Sequence, residues 1–379
     1  MATIDKSLPN TKTKTEIDIP GEEVIVEEQQ DILDRQKSGE PEIEMQEDGS
    51  ATVNFDPSAV NPEGGEDHFE NLADFLDDKV LDPLASELMD KYKEYKQSRQ
   101  EWEESYREGL NLLGFKYVTR TEPFRGASSV THPVLAEAVT QFQAQAYKEL
   151  LPADGPVRTQ IMGNIDVPKE EQSKRVKDFM NYQIMDQMKE YEPEFDQMLF
   201  YLPLSGSTFK KVYYDDLLGR AVSKFIPAED LVVPYSATSL EDAEAVIHVI
   251  RVSQNDLRKQ QINGFYKDID LGEPPLQEDQ LKQKELELEG IRQTGQEDMY
   301  TILEMHVNVD LEGHEDVSPE DGEPTGVKLP YIVTIDEANG KVLSIRRNYK
   351  AEDPLKRKQD YFVHFKFLPG MGFYGLGLI

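Results

Sequence analysis

The sequence predicts an α+β fold in which long helices come first and a β-rich region follows. Apolar residues recur every three or four positions as far as Pro203, which is the period of a helix, and they alternate with polar residues after Gly206, which is the period of a strand. The two patterns occupy separate halves of the chain, as is typical of α+β proteins. With 379 residues, the chain is long enough for two or three domains.

The first 67 residues predict an acidic, disordered tail. They contain 18 acidic side chains against 5 basic ones and show no regular apolar period. A segment of this kind buries too little apolar surface to offset the entropy that it loses on ordering. The whole chain has a net charge of −33, which disfavours non-specific adhesion to nucleic acid.

The helical half predicts three long helices, over residues 83–110, 133–152 and 169–203. Proline marks their ends, because it is favoured in the first turn of a helix and stops a helix that reaches it. Arg99 is the single polar interruption of the first apolar stripe, and Pro193 is expected to bend the third helix. Helices of this length need a large surface to pack against.

The second half predicts a series of strands with two short helices between them. Its strongest turn signal is Asn339–Gly340, the residue pair most favoured in a tight hairpin. The short helices are predicted over 253–266 and 277–292. The predicted strands are 208–214, 221–226, 245–252, 302–309, 331–334, 342–345 and 361–367.

The last ten residues, 370–379, are rich in glycine and apolar side chains and carry no charge. A terminal apolar segment needs cover from another part of the fold. The sequence therefore predicts that 370–379 begins a further helical region and that the chain is truncated before further long helices.

The sequence offers no motif for catalysis. It has no cysteine, which excludes disulfides, thiolate metal sites and a cysteine nucleophile. No phosphate-binding GxxxxGK[ST] motif, no GxSxG elbow and no HExxH pair is present. His248, His306 and His364 fall inside predicted strands, where a sheet-face position is the simpler interpretation. We therefore predict no catalytic residue, no metal site and no cofactor. The sequence also contains no apolar run long enough to span a membrane.

Four ordered segments carry the most specific pattern in the chain. They are residues 123–133 (PFRGASSVTHP), 206–215 (GSTFKKVYYD), 226–234 (IPAEDLVVP) and 373–377 (FYGLG). In this order they resemble segments of podovirus-type phage portal proteins, also called head–tail connectors, over roughly residues 70 to 379. The residues that carry the resemblance have structural roles; they are Pro123, Phe124, Arg125, Gly126, Gly206, Lys210, Pro227, Asp230, Pro234, Tyr374 and Gly375.

Each segment also has a simple local interpretation. Gly206 is suited to capping a helix, and Pro227 and Pro234 are suited to bracketing a turn. These interpretations are compatible with the resemblance, because portal motifs are themselves structural. The chain departs from the family in its length, since portals of this type are considerably longer.

The resemblance implies a portal-like fold and a structural, non-enzymatic function. A portal is a homo-oligomeric ring, a dodecamer by resemblance, at one vertex of the virion capsid. Double-stranded DNA passes through it without sequence-specific binding. The implied partners are the packaging terminase ATPase, the major capsid and scaffold proteins, and the tail adaptor. The implied location is the virion, and the host cytoplasm during assembly.

The same resemblance implies a division of the chain after the tail. Residues 68–252 are expected to form a wing-like domain of helices and a β-hairpin, and residues 253–369 a stem helix with a β-rich, clip-like region. Two other classes of protein remain open from the sequence. One is a different scaffold or adaptor protein of the virion, and the other is a metal-dependent nuclease or hydrolase, since carboxylates are abundant.

Overall fold

The computed structural model divides into two units, which are described separately. The residues that it describes are 42–45, 51–54, 68–113, 124, 126, 132–215, 218–274, 280–288, 299–317, 323–370 and 372–379. In the first unit, Met1–His68, the described strands β1 (Glu42–Met45) and β2 (Ala51–Asn54) pair as an antiparallel hairpin. The rest of the predicted acidic tail, 1–67, lies outside the described residues.

The second unit, Phe69–Ile379, contains seven α-helices among its described residues. None is longer than 21 residues. In chain order they are α1 (Asp78–Ser98), α2 (Gln100–Leu110), α3 (Val134–Leu150), α4 (Val167–Tyr182), α5 (Tyr191–Ser205), α6 (Gln254–Ile262) and α7 (Gln280–Leu288).

Eight strands among the described residues of this unit form two antiparallel sheets. A three-stranded sheet has the order β10–β3–β4, and a five-stranded sheet has the order β5–β6–β7–β8–β9. The strands are β3 (Ser207–Asp215), β4 (Arg220–Pro227), β5 (Leu231–Val232), β6 (Ala245–Ser253), β7 (Met299–Val309), β8 (Leu329–Asp336), β9 (Val342–Arg347) and β10 (Phe362–Lys366). The predicted strands are confirmed within a few residues at their ends.

The predicted fold class, a portal-like α+β fold led by long helices, is wrong. The structure is a mixed arrangement of short helices and two antiparallel sheets. The predicted helix 83–110 is broken at Arg99, whose backbone leaves the helical region with φ −103° and ψ 7°. The predicted helix 169–203 is broken after Tyr182 by a π-turn that ends at Met188, where ψ reaches 78°.

Pro193 explains why the third predicted helix is two helices instead of one bent helix. It lies in the first turn of α5, where its missing N–H has no helical partner to lose. The chain therefore uses this proline to start a new helix. Pro203 lies in the last turn of α5, and Gly206 caps that helix with φ +75°.

The main core lies between α1 and the five-stranded sheet. One face of α1 is buried and packs with apolar side chains of β6, β7, β8 and β9. The buried α1 residues are Leu81, Ala85, Leu88, Tyr92 and Tyr95. The apolar stripe of α1 is therefore used inside the chain. In contrast, α4 has no buried residue at all.

Candidate functional site: the junction around Arg99

Arg99 is the centre of a buried junction between distant parts of the chain. Its side chain is only 2% exposed, at the break between α1 and α2. Its Nη1 donates hydrogen bonds to the carbonyl oxygens of Ala228 and Leu231, both at 3.0 Å, and to the Tyr374 hydroxyl at 3.1 Å. Its Nη2 donates to the carbonyl oxygen of Glu229 at 2.6 Å. One guanidinium group thus joins three segments of the sequence.

The electrostatic environment keeps Arg99 charged. Burial alone would lower the pKa of its guanidinium, but the oxygens of Tyr374 and Glu103 raise that pKa above its ordinary value. Glu103 Oε1 lies 2.7 Å from Arg99 Nε and supplies the countercharge. A buried charge is tolerated when it is paired and hydrogen-bonded in this way. The guanidinium is therefore a permanent structural cation.

Tyr374 is the second element of the junction and holds the C-terminal motif in place. Its hydroxyl donates to the carbonyl oxygen of Leu231 at 3.0 Å and accepts from the backbone N–H of Val233 at 3.4 Å. Its ring stacks on Trp102 with 4.8 Å between the ring centres. Tyrosine combines these roles because its ring is apolar and its tip is polar.

Gly206 and Gly375 bring two motifs together backbone to backbone. A Cβ atom on Gly206 would overlap the carbonyl oxygen of Gly375, and a Cβ on Gly375 would overlap the carbonyl oxygen of Gly206. The contact is fixed by hydrogen bonds from Phe367 N to Gly206 O at 2.9 Å and from Gly375 N to Ser207 Oγ at 2.7 Å. Only glycine leaves room for this approach.

An aromatic stack lies beside the glycine contact. His364 packs against both Phe209 and Phe373, with ring centres 4.5 and 4.7 Å apart, and the two phenylalanine rings also stack on each other at 6.0 Å. Burial, with a smaller effect from Lys366, lowers the pKa of His364 to about 3, so the ring is neutral at physiological pH. Its Nε2 lies 3.0 Å from Ser207 Oγ. This histidine is a packing residue of the sheet, as the sequence predicts.

The structure brings together three of the four segments singled out from the sequence. Segments 206–215, 226–234 and 373–377 share one buried apolar cluster, which contains Phe209, Ile226, Ala228, Leu231, Val233, Val246, Phe373 and Tyr374. Pro227 precedes the turn whose carbonyl groups bind Arg99, and Pro234 O accepts a hydrogen bond from Ala237 N at 3.0 Å. Asp230 accepts a hydrogen bond from Arg251 at 2.9 Å.

The first segment, 123–133, is not brought to the junction by the residues that the structure describes. Phe124 is 70% exposed. Gly126 has φ +91° and no atom within 4 Å of a Cβ placed on it. Pro123 and Arg125 lie outside the described residues.

A second, partly buried cluster joins the two sheets. Lys211 of β3 donates to both carboxylate oxygens of Glu304 on β7, at 2.6 and 2.7 Å. His306 Nε2 lies 2.8 Å from Glu304 Oε1, and His248 is paired with Glu304 across β6 and β7. Burial alone would raise the pKa of Glu304, but Lys211 and His306 hold it well below its usual range. Burial lowers the pKa of His248 to about 3, so Glu304 and Lys211 are the charged pair.

Lys210, one of the predicted motif residues, is buried in a different way from its neighbour Lys211. Its Nζ lies 4.1 Å from the ring centre of Tyr191 and 4.9 Å from that of Phe195. It has no hydrogen-bond partner among the described residues. Burial lowers the pKa of Lys210 to about 8, although Glu194 and Glu190 act in the opposite direction. This ammonium group is held by aromatic rings instead of by an oxygen atom.

Sequence reasoning missed the two charged residues that organise these clusters. In the sequence, Arg99 is marked only as a polar residue that interrupts an apolar stripe. That interruption is the one signal that could have indicated a buried charge at this position. Glu304 alternates with buried apolar residues on β7, which is the pattern of an ordinary sheet face. Its partner Lys211 lies 93 positions away, so the sequence carries no local sign of the pair.

Among the side chains that the structure describes, no group of three or more His, Cys, Asp or Glu residues is arranged to hold a metal ion. None of the helices in the described part of the chain is long and apolar enough to cross a membrane.

No model of a known protein family matches the chain, and no curated protein matches it.

Replacing Gly206 with alanine is expected to lower the free energy of unfolding by about 3 kcal/mol, because the new Cβ meets the Gly375 backbone and φ is positive. Gly219→Ala is the matched control, since Gly219 has φ +61° but open space around it, and should cost about 1 kcal/mol. Urea denaturation of both variants measures the difference. Equal losses would show that the backbone contact contributes nothing.

Proposed function

We propose that the chain is a structural subunit of a phage portal, the ring at a capsid vertex through which viral DNA is packaged and ejected. One observation carries the proposal. Three segments that resemble portal segments in the sequence, 206–215, 226–234 and 373–377, meet at the junction around Arg99. The proposal does not rest on the helices, which are shorter than the resemblance implied.

The junction suits a subunit that must stay rigid while DNA moves past it. Hydrogen bonds from Arg99 span 129 to 275 positions of the sequence, and the glycine contact locks two backbones together. The guanidinium of Arg99 is buried and paired with Glu103, so its charge is not available to a substrate. We therefore propose that the protein is not an enzyme.

The charge of the chain supports the proposed relation to DNA. A net charge of −33 per subunit repels phosphate, so DNA passes a wall of this sign without adhering to it. The proposed protein partners follow from the resemblance and not from a contact in the structure. They are other copies of the chain, the packaging terminase ATPase, the capsid and scaffold proteins, and the tail adaptor.

Ring assembly is the direct test. Subunits that contact one another through two different surfaces close into a ring when the rotation between them permits it, here about twelve copies. Mass photometry and negative-stain microscopy of the full chain are expected to show a closed ring with a central hole. A homogeneous monomer or dimer over a wide concentration range would contradict the proposal.

A second measurement separates this proposal from the nuclease or hydrolase alternative. The purified protein is incubated with double-stranded DNA and either Mg²⁺ or Mn²⁺. We expect the DNA to remain intact and the melting temperature of the protein to be unchanged by the metal. Cleavage that depends on the metal would favour the enzyme.

A further inference from the structure

Helix α4, Val167–Tyr182, presents an apolar face that the described part of its own chain does not cover. Val176, Phe179 and Met180 lie at helical spacing on one side and are 43%, 58% and 42% exposed. The loop before the helix adds Met162 and Ile165, which are also exposed. No residue of α4 is buried.

An exposed helix of this length is weakly stable in water by itself. Helices shorter than about 15 residues are marginal without tertiary packing, and α4 is only slightly longer at 16 residues. Hydrogen bonds join it to the preceding loop: Ser173 Oγ donates to Thr159 Oγ1 at 2.8 Å, and Asn181 Oδ1 accepts from Val157 N at 2.9 Å. Cover from another molecule would stabilise the helix by burying its apolar side.

The charges around this side have the opposite sign to the chain as a whole. Arg175 and Lys177 flank this side, each about 100° around the helix axis from Val176, whereas Lys174 lies on the opposite side with Glu171 and Asp178. The acidic residues of α4 are fewer than its basic ones. We define the basic face as Val176, Phe179 and Met180 together with Arg175 and Lys177.

A surface of complementary character lies at the start of α1. Phe69 and Phe75 are 68% and 59% exposed. The stretch 69–78 contains no basic residue. Arg346 holds part of this surface in place, because its Nη1 donates to Phe69 O at 2.6 Å and its Nη2 to Phe265 O at 3.1 Å. Asp78 is already paired with Lys267 of its own chain, at 3.8 Å. We define the acidic face as Phe69 and Phe75 together with Glu70, Asp74 and Asp77.

We infer that the basic face of one copy of this chain binds the acidic face of a second copy. The two faces match in apolar character and are opposite in charge, which favours and orients an encounter between them. Both are exposed in the single chain, so each is available to another molecule. Because the two faces differ, the contact is heterologous and propagates to a ring or a filament. The inference thus rests on the proposed function for its closure into a ring.

Site-directed crosslinking tests whether the two faces bind each other. Because the sequence contains no cysteine, only the introduced cysteines can react. The full chain carrying both Phe75→Cys and Phe179→Cys is treated with a short bismaleimide and run on a denaturing gel. We expect a ladder of covalent multimers from this double variant and only monomer from each single variant. The control pairs Phe75→Cys with Tyr214→Cys, an exposed aromatic outside both faces, and should give no ladder.

Two crosslinking results would overturn the inference. If Phe179→Cys alone gives dimers, α4 binds α4 and the contact is not heterologous. If the double variant gives no ladder although wild-type protein forms rings, the subunits meet through other surfaces, and the proposed function stands without this inference. A ladder from a protein that forms open filaments and no rings would support the inference and contradict the proposed function.

Reversal of charge provides a second test that does not depend on crosslinking chemistry. One variant carries Arg175→Glu and Lys177→Glu, and the other carries Glu70→Lys and Asp77→Lys. We expect each variant alone to lose assembly, since its two faces then have the same sign, and an equimolar mixture to recover it. Circular dichroism checks that both fold. Wild-type assembly by either variant alone, or no recovery in the mixture, would overturn the inference.

Discussion

Replacing Arg99 with methionine is expected to lower the free energy of unfolding by about 5 kcal/mol, the largest effect of any single substitution considered. The change leaves the carbonyl oxygens of Ala228, Glu229 and Leu231 without their donor in a site closed to water. Each buried acceptor that loses its partner carries its own desolvation cost. Tyr374 also loses one of its hydrogen bonds, so the C-terminal motif is loosened as well.

Two further variants define the origin of this loss. Arg357→Met removes a guanidinium from a surface pair with Asp353, where the arginine side chain is 75% exposed, and should cost about 0.5 kcal/mol or less. Arg99→Lys retains the charge but cannot reach four acceptors with the planar geometry of arginine. We expect it to fall between Arg99→Met and wild type in urea denaturation. A loss for Arg99→Met no larger than that for Arg357→Met would contradict the role assigned to the junction.

Replacing Lys211 with methionine is expected to lower the free energy of unfolding by about 4 kcal/mol, because it leaves Glu304 buried without its cation. The pKa of Glu304, held low by Lys211 and His306, should rise in the variant. The carboxylate then takes up a proton nearer neutral pH, so the stability of the variant should recover partly as the pH is lowered toward 5. Urea denaturation at several pH values measures both effects.

The neighbouring residue provides a matched control for this prediction. Lys210→Met removes an ammonium group that has aromatic contacts but no hydrogen-bonding oxygen among the described residues. Its loss forfeits about 1 kcal/mol of cation–π attraction and relieves a desolvation cost of similar or larger size. We therefore expect no net loss of stability from Lys210→Met. If both lysine variants lost the same free energy of unfolding, the ion pair between Lys211 and Glu304 would contribute no more to stability than the aromatic contacts of Lys210.

The strands could be predicted from the sequence because their signals are local. Alternation of polar and apolar residues marks β3, β7 and β10, and Asn339–Gly340 marks the hairpin of β8 and β9. Helix lengths could not be predicted in the same way. The apolar stripe continues in phase on both sides of Arg99, so the local pattern predicts one continuous helix. The buried position of Arg99 is stabilised by hydrogen bonds to the carbonyl groups of Ala228 and Leu231, which are far away in the sequence.

The candidate site was predictable in its parts but not in its arrangement. The motifs containing Gly206, Pro227 and Tyr374 could each be singled out from residue types. That the three share one cluster depends on pairings over long distances, such as the bond between Gly375 N and Ser207 Oγ, which spans 168 positions. Lys211 and Glu304 are likewise ordinary surface residue types until two sheets bring them together.

The order of the strands along the chain has a consequence for folding during synthesis. The three-stranded sheet pairs β3 with β10, whereas all strands of the five-stranded sheet lie between β4 and β10 in sequence. The ribosome therefore releases the whole five-stranded sheet before the third strand of the smaller sheet exists. Contacts across such separations form slowly, because a long loop must close first. The Arg99 junction can be completed only after Tyr374 has been synthesised, and until then the Arg99 guanidinium lacks one of its hydrogen-bond partners.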